Sequence, residues 1–164
     1  MAGGVEIERK WLVPEMPREA LDGPPPEAIQ QGYLTIGAEG AETRVRMRAG
    51  RCTLTVKSGG GLERSETEIG ITAEQFDALW SATAGARLEK QRRTLRAGDG
   101  HTIELDVYGG DLDGLIVAEV EFDDRMTATF FTAPYWFGRE VTDDPAYKNQ
   151  RLATSAEPPS PTSL

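Results

Sequence analysis

One cysteine and one histidine are present among 164 residues. A single thiol, Cys52, excludes an intrachain disulfide. A single imidazole, His101, excludes a His-based triad or a histidine-rich zinc site for want of parts. No apolar run has the length a membrane helix needs, and no secretory apolar region is evident. A cytoplasmic location without a membrane partner is therefore the expectation. Basic residues are also in short supply: 18 Lys and Arg against 27 Asp and Glu, a net charge of -9. Nucleic-acid binding runs on a basic footprint that releases counter-ions, so no nucleic-acid partner is expected. A polyanion can bind such a chain only where its basic residues are gathered in one place, or where metal ions bridge.

The sequence does hold strands. Residues 4–13 alternate strongly and end at Pro14. Further strand-like stretches run over 28–37, 42–49, 51–58, 62–71, 87–96, 101–109 and 114–123, with glycine in the turns between them. Cys52 falls within one of these stretches and reads as a plain buried thiol. His101 follows Gly98-Asp99-Gly100 and reads as a turn residue. The Gly59-Gly60-Gly61 turn lacks the GK[ST] ending of a P-loop and reads as a hairpin. Thr72 and Gln75 form a capping box, after which Phe76, Leu79 and Trp80 share a helix face. Short helices are expected within 15–22, 124–133 and 143–152. Residues 1–153 read as one domain, and the Pro- and Ser-rich stretch 154–164 reads as a disordered tail. The fold class is mainly β (α+β): eight strand candidates with few helices predict a barrel or strongly curved sheet.

The alternation is inverted in character. Residues two apart on a strand share a face. Glu6, Glu8 and Lys10 lie on one face, with Val5, Ile7 and Trp11 on the other, interrupted by Arg9. Arg44, Arg46 and Arg48 oppose Val45 and Met47. Thr53, Thr55 and Lys57 oppose Leu54 and Val56. Arg64, Glu66 and Glu68 share a face, as do Lys90 and Arg92. Glu104 and Asp106 oppose Ile103, Leu105 and Val107; Glu119 and Glu121 oppose Ala118, Val120 and Phe122. A merely solvated face would mix Ser, Thr, Asn, Lys and Glu. Arginines side by side on a strand repel unless an anion joins them. A curled sheet with its apolar face outward and its charged face lining a tunnel accounts for the pattern. Guanidinium forks then meet phosphate oxygens, and carboxylates hold hard cations.

Glu6-Ile7-Glu8-Arg9-Lys10 is similar to the ExExK signature of the CYTH, or triphosphate tunnel metalloenzyme, superfamily. Gln31-Gly32-Tyr33-Leu34 resembles that superfamily's QGYL strand, Thr43-Arg44-Val45-Arg46 its paired-arginine strand, and Leu54-Thr55-Val56-Lys57 its lysine strand. Arg64-Ser65-Glu66-Thr67-Glu68 resembles RxExE, Glu89-Lys90-Gln91-Arg92 resembles KxR, and Glu104-Leu105-Asp106 and Glu119-Val120-Glu121 resemble the acidic strands. Residues 136–142, with Tyr147 and Asn149, resemble the C-terminal segment of short bacterial members. The resemblance implies an eight-stranded antiparallel tunnel. It implies that Lys10, Arg44, Arg46, Lys57, Arg64, Lys90 and Arg92 bind phosphates. It implies that Glu6, Glu8, Glu119 and Glu121 hold Mg2+ or Mn2+, with Glu104 and Asp106 nearby, and that Glu6, Glu8 and Lys10 carry catalysis. Glu66, Glu68 and Arg48 are further tunnel-lining expectations.

The implied reaction is hydrolysis of a small-molecule triphosphate, with inorganic tripolyphosphate favoured for the short bacterial type. The alternatives are adenylate cyclisation of ATP, hydrolysis of thiamine or another organic triphosphate, and polyphosphate binding without catalysis. Arg48 is a departure: it adds a third arginine to the pair. Lys148, Gln150 and Arg151 make the C-terminal helix unexpectedly basic; it either caps a tunnel end or faces water, and water is the expectation. Exposed barrel strands make a homodimer a further expectation.

Overall fold

Alternation with a period of two becomes eight strands in the computed structural model, which describes residues 7–58 and 65–160. Glu6, Arg64, the Gly59-Gly60-Gly61 turn and residues 161–164 lie outside the described residues. The strands are β1 (Ile7–Leu12), β2 (Glu27–Ile36), β3 (Glu42–Arg48), β4 (Arg51–Lys57), β5 (Glu66–Ile71), β6 (Arg87–Arg96), β7 (Thr102–Tyr108) and β8 (Ile116–Phe122). They form one antiparallel sheet in the order β1-β8-β7-β6-β2-β3-β4-β5.

The expected barrel is open. No ladder joins β1 to β5 among the described residues. The free side of β1 is instead engaged by the C-terminal chain, which satisfies its backbone groups. Gly138 N donates to Leu12 O at 2.7 Å, Leu12 N to Arg139 O at 2.9 Å, and Val141 N to Lys10 O at 2.8 Å. Arg9, the residue that interrupts the apolar face of its strand, fastens this segment. Its Nε and Nη2 donate to the two Glu140 carboxylate oxygens at 2.8 and 2.7 Å.

The apolar core lies on the convex, outer side of the sheet. Trp11, Leu95, Ile103, Leu105, Val120 and Phe122 are buried there with Ala20, Ala128 and Phe131. Ala20 belongs to α1 (Arg18–Leu21) and Ala128 to α3 (Arg125–Phe130). A second patch, Val45 and Cys52, is covered by Phe76 of α2 (Ala73–Trp80). The capping box forms as read: Gln75 N donates to Thr72 Oγ1 at 3.1 Å and Thr72 N to Gln75 Oε1 at 2.8 Å. The turn after α2 explains Gly32, since a Cβ there would lie 2.6 Å from Thr83 Oγ1. The remaining helices are short, α4 (Asn149–Leu152) included. Residues 154–160 of the expected tail are described, and the Tyr147 hydroxyl donates to Pro159 O at 3.5 Å.

Candidate active site

The concave face encloses a cavity of about 470 Å³ to which every strand contributes. β1 supplies Glu8 and Lys10, and β8 supplies Glu119 and Glu121. β3 supplies Arg44, Arg46 and Arg48, and β6 supplies Lys90 and Arg92. Lys57 comes from β4, Glu66 and Glu68 from β5, and Glu104 from β7. Strand parity therefore sorted these side chains correctly. Glu6 and Arg64 lie outside the described residues.

The two sides of the cavity differ in charge. On the β1–β8–β7 side, register places Glu8 opposite Glu121 and Glu104 opposite Glu119. On the β3 side three arginines follow one another at alternate positions. Arg46 sits at the centre of that row. Burial pulls its guanidinium below its ordinary value, and Arg44, Arg92 and Arg48 add to the effect. Glu68, at 3.7 Å, opposes this. A further anion placed here would relieve this repulsion.

Across β2 from this row, β6 and β7 carry a buried network. Asp106 is fully buried and does not line the cavity. Its Oδ1 accepts from Arg92 Nε at 2.7 Å, and its Oδ2 from Arg92 Nη2 at 2.7 Å and Lys90 Nζ at 2.6 Å. Both carboxylate oxygens are thus engaged in holding the two cations. Burial pulls Lys90 below the ordinary lysine value against the attraction of Asp106. Arg92 also reaches Glu104 and, at 3.5 Å, Glu119. Lys10 Nζ lies 2.9 Å from Glu119 Oε1 and donates to Tyr147 O at 3.2 Å. Burial works against the Lys10 charge, yet Glu119 and Glu8 raise its pKa above the usual value. Burial would likewise push Glu119 up, but Lys10, Lys90 and Arg92 hold it down to about 2.

Several cavity residues were not assigned to the site from the sequence. Gln31 is buried and donates from Nε2 to the Tyr33 hydroxyl at 2.7 Å. Glu42 lies 3.3 Å from Arg44. Lys148, Asn149 and Gln150 line the cavity, contrary to the expectation that this basic helix faces water; Lys148 is exposed at its rim, and Arg151 is exposed and outside the lining. The reason is local: the Tyr108 hydroxyl donates to Asn149 Oδ1 at 2.7 Å and draws the start of α4 against the sheet.

The carboxylates suit a hard divalent cation, because they offer oxygen donors alone and face one another in like-charged pairs. Among the described residues no three metal-type side chains are already gathered as a ready-made ligand set. Glu8, Glu121 and Glu119 are the residues that fit, with Glu104 beside them.

No family model matches the chain. It is 46% identical over 150 residues to an inorganic triphosphatase of Nitrosomonas europaea, covering 92% of this chain and 97% of that protein. It is 31% identical over 150 residues to an inorganic triphosphatase of Acetivibrio thermocellus, covering 91% and 93%. A crystal structure of the inorganic triphosphatase NE1496 matches with a TM-score of 0.72 at 43% identity, covering 92% of this chain and 95% of that one. A putative adenylyl cyclase from Hippeastrum, described as having dominant triphosphatase activity, shares the fold with a TM-score of 0.57 at 15% identity, covering 76% and 83%. An open antiparallel sheet whose concave face carries paired carboxylates against rows of arginine and lysine is the triphosphate tunnel architecture of CYTH proteins. Within that class, the chain belongs to the inorganic triphosphatase family.

Proposed function

We propose that the protein hydrolyses inorganic tripolyphosphate within this cavity, with Mg2+ or Mn2+ as cofactor. The observation that carries the reading is the convergence of Lys10, Arg44, Arg46, Lys57, Lys90 and Arg92 on one cavity together with Glu8, Glu119 and Glu121. Phosphoryl transfer asks the protein mainly for positioning and charge neutralisation. The β3 arginines supply forked donors that match phosphate oxygens. Lys90 and Arg92 are fixed by Asp106 and need no reorganisation when substrate arrives. Lys10, clamped between Glu119 and the Tyr147 carbonyl, keeps its charge despite burial. Glu8, Glu119 and Glu121 would hold the cation, and Glu6 would either help hold a second cation or orient the attacking water. Bound there, a divalent cation supplies neutralisation of substrate oxygens and polarisation of water.

The lining also favours an inorganic substrate. Its aromatic residues, Tyr33 and Tyr147, are buried. Tyr135 is exposed and pairs with Glu19, and Trp136 packs on Phe137 at 4.6 Å. None of these offers an open stacking surface for a base inside the cavity. Phosphate release from tripolyphosphate is expected to stop in excess chelator and to return with magnesium or manganese. Full turnover in excess chelator would contradict the metal assignment.

A further inference from the structure

A second hollow of about 310 Å³ adjoins the tunnel at its β3–β4 end, lined by Glu27, Arg46, Arg48, Arg51, Thr53 and Glu68. Arg46, Arg48 and Glu68 line both spaces. Arg48 closes β3, Arg51 opens β4, and the two are directly opposite in the ladder. The turn between them fixes this pairing: Ala49 and Gly50 both have positive φ, 47° and 77°, the backbone of a tight two-residue hairpin. Like charges held directly opposite one another across two strands repel.

The local counter-charge is thin. Arg48 pairs with Glu27, but both side chains are about a third exposed or more, at 31% and 44%; such pairs contribute little. Its other carboxylate neighbour, Glu104, is 3.8 Å away. Arg51 is exposed and has no hydrogen bond or ion pair among the described residues. The Thr53 hydroxyl, which faces Arg46 across the ladder, is buried without a partner. On a chain of net charge -9, three guanidinium groups and an unpartnered hydroxyl therefore face one small space whose two carboxylates, Glu27 and Glu68, are both exposed.

We infer that this hollow is a subsite for an additional phosphate group of a linear polyphosphate, so that a chain of four or more phosphates spans the tunnel and its β3–β4 mouth. The inference rests on the reading of the tunnel as a triphosphate site. Arg44, Arg46 and Arg48 form a row about 13 Å long by strand rise, and Arg51 extends it past the end of β3. Arginine forks suit phosphate oxygens, and an entering phosphate can take Arg48 from the exposed Glu27. Among the described residues none that lines the hollow is aromatic, so the class of ligand is inorganic.

The test is calorimetric titration of the full chain with tripolyphosphate and with tetrapolyphosphate, in chelator so that no turnover intervenes. Three proteins are compared: wild type, Arg51→Gln, and Arg18→Gln as a charge control in α1, where Arg18 is exposed. Wild type is expected to bind tetrapolyphosphate about tenfold more tightly, the gain from one charge-assisted contact. That preference should vanish in Arg51→Gln and persist in Arg18→Gln. No preference in wild type, its survival in Arg51→Gln, or equal loss in both variants overturns the inference. Turnover of tripolyphosphate with magnesium, measured on the same preparations, tests the hydrolase reading separately. Preference without turnover defeats only that reading, and turnover without preference defeats only the subsite.

Discussion

Replacing Asp106 by alanine is expected to destabilise the protein by about 3–5 kcal/mol, the cost of stripping one partner from a buried ion pair. Lys90 and Asp106 are almost fully buried, at 2% and 0% side-chain exposure. Arg92 retains Glu104 and Glu119 when Asp106 is removed, but no other ion pair of Lys90 is seen among the described residues. Water cannot replace the lost carboxylate cheaply at such a site. The measurement is equilibrium unfolding in urea, where the midpoint should fall without a change in slope. A second expectation concerns pH. The folded-state pKa of Lys90 already lies below its ordinary value because of burial, and loss of Asp106 lowers it further. A charged Lys90 then costs most at pH values below that folded pKa. The deficit should shrink as pH rises toward the ordinary lysine range, where the buried Lys90 is neutral in the folded state of both proteins. A loss below about 1 kcal/mol, the scale of a surface pair, would show that Asp106 does not hold the network together.

Replacing Glu119 by glutamine is expected to lower kcat/KM at least tenfold, or about 1.4 kcal/mol of barrier. Two contributions are combined in that figure. Glu119 is one of the carboxylates proposed above to hold the cation, and it pairs with Lys10 2.9 Å away. The substitution also costs stability, because Lys10 is itself buried. Melting curves should therefore accompany the kinetics, and rates should be compared below the lower melting point. The wild-type pH profile carries a related signature. The folded pKa of Glu119 is depressed from 4.5 to about 2. Its contribution is present above the unfolded value and is lost as pH falls from about 4.5 toward 2. The glutamine variant should lack that component of acid destabilisation. Undiminished activity in the variant would remove Glu119 from the site.

Much of this arrangement was legible because a strand sorts its side chains with a period of two. That rule alone placed Arg44, Arg46, Lys90, Arg92, Glu119 and Glu121 on a common face. It could not separate Asp106 from Glu104, which share parity. Only the cross-strand register, Arg92 opposite Asp106, shows one carboxylate sealed beneath the cations and the other at the cavity. Gln31 and Tyr33 were matched to a family strand but given no place in the site, because β2 is flanked by strands on both sides and mixes polar with apolar residues, so its cavity face is not marked. Arg9 looked like an interruption because its partner, Glu140, lies 131 residues away. The C-terminal segment was ambiguous for a similar reason. A single turn of helix has too few residues to declare a buried face, and its orientation is set by Tyr108 and Lys10. The open side of the sheet was invisible as well, since edge pairing depends on where the C-terminal chain returns rather than on β1 itself.

The most direct measurement is the ratio of kcat/KM for tripolyphosphate to that for ATP, taken on the purified chain with magnesium and again with manganese. This ratio reports discrimination in the transition state. The charged lining, with no open aromatic platform among the described residues, predicts a ratio well above one with either metal, and orthophosphate among the products. Release of pyrophosphate and cyclic AMP from ATP, with tripolyphosphate left intact, would contradict the account and assign the same cavity to cyclisation.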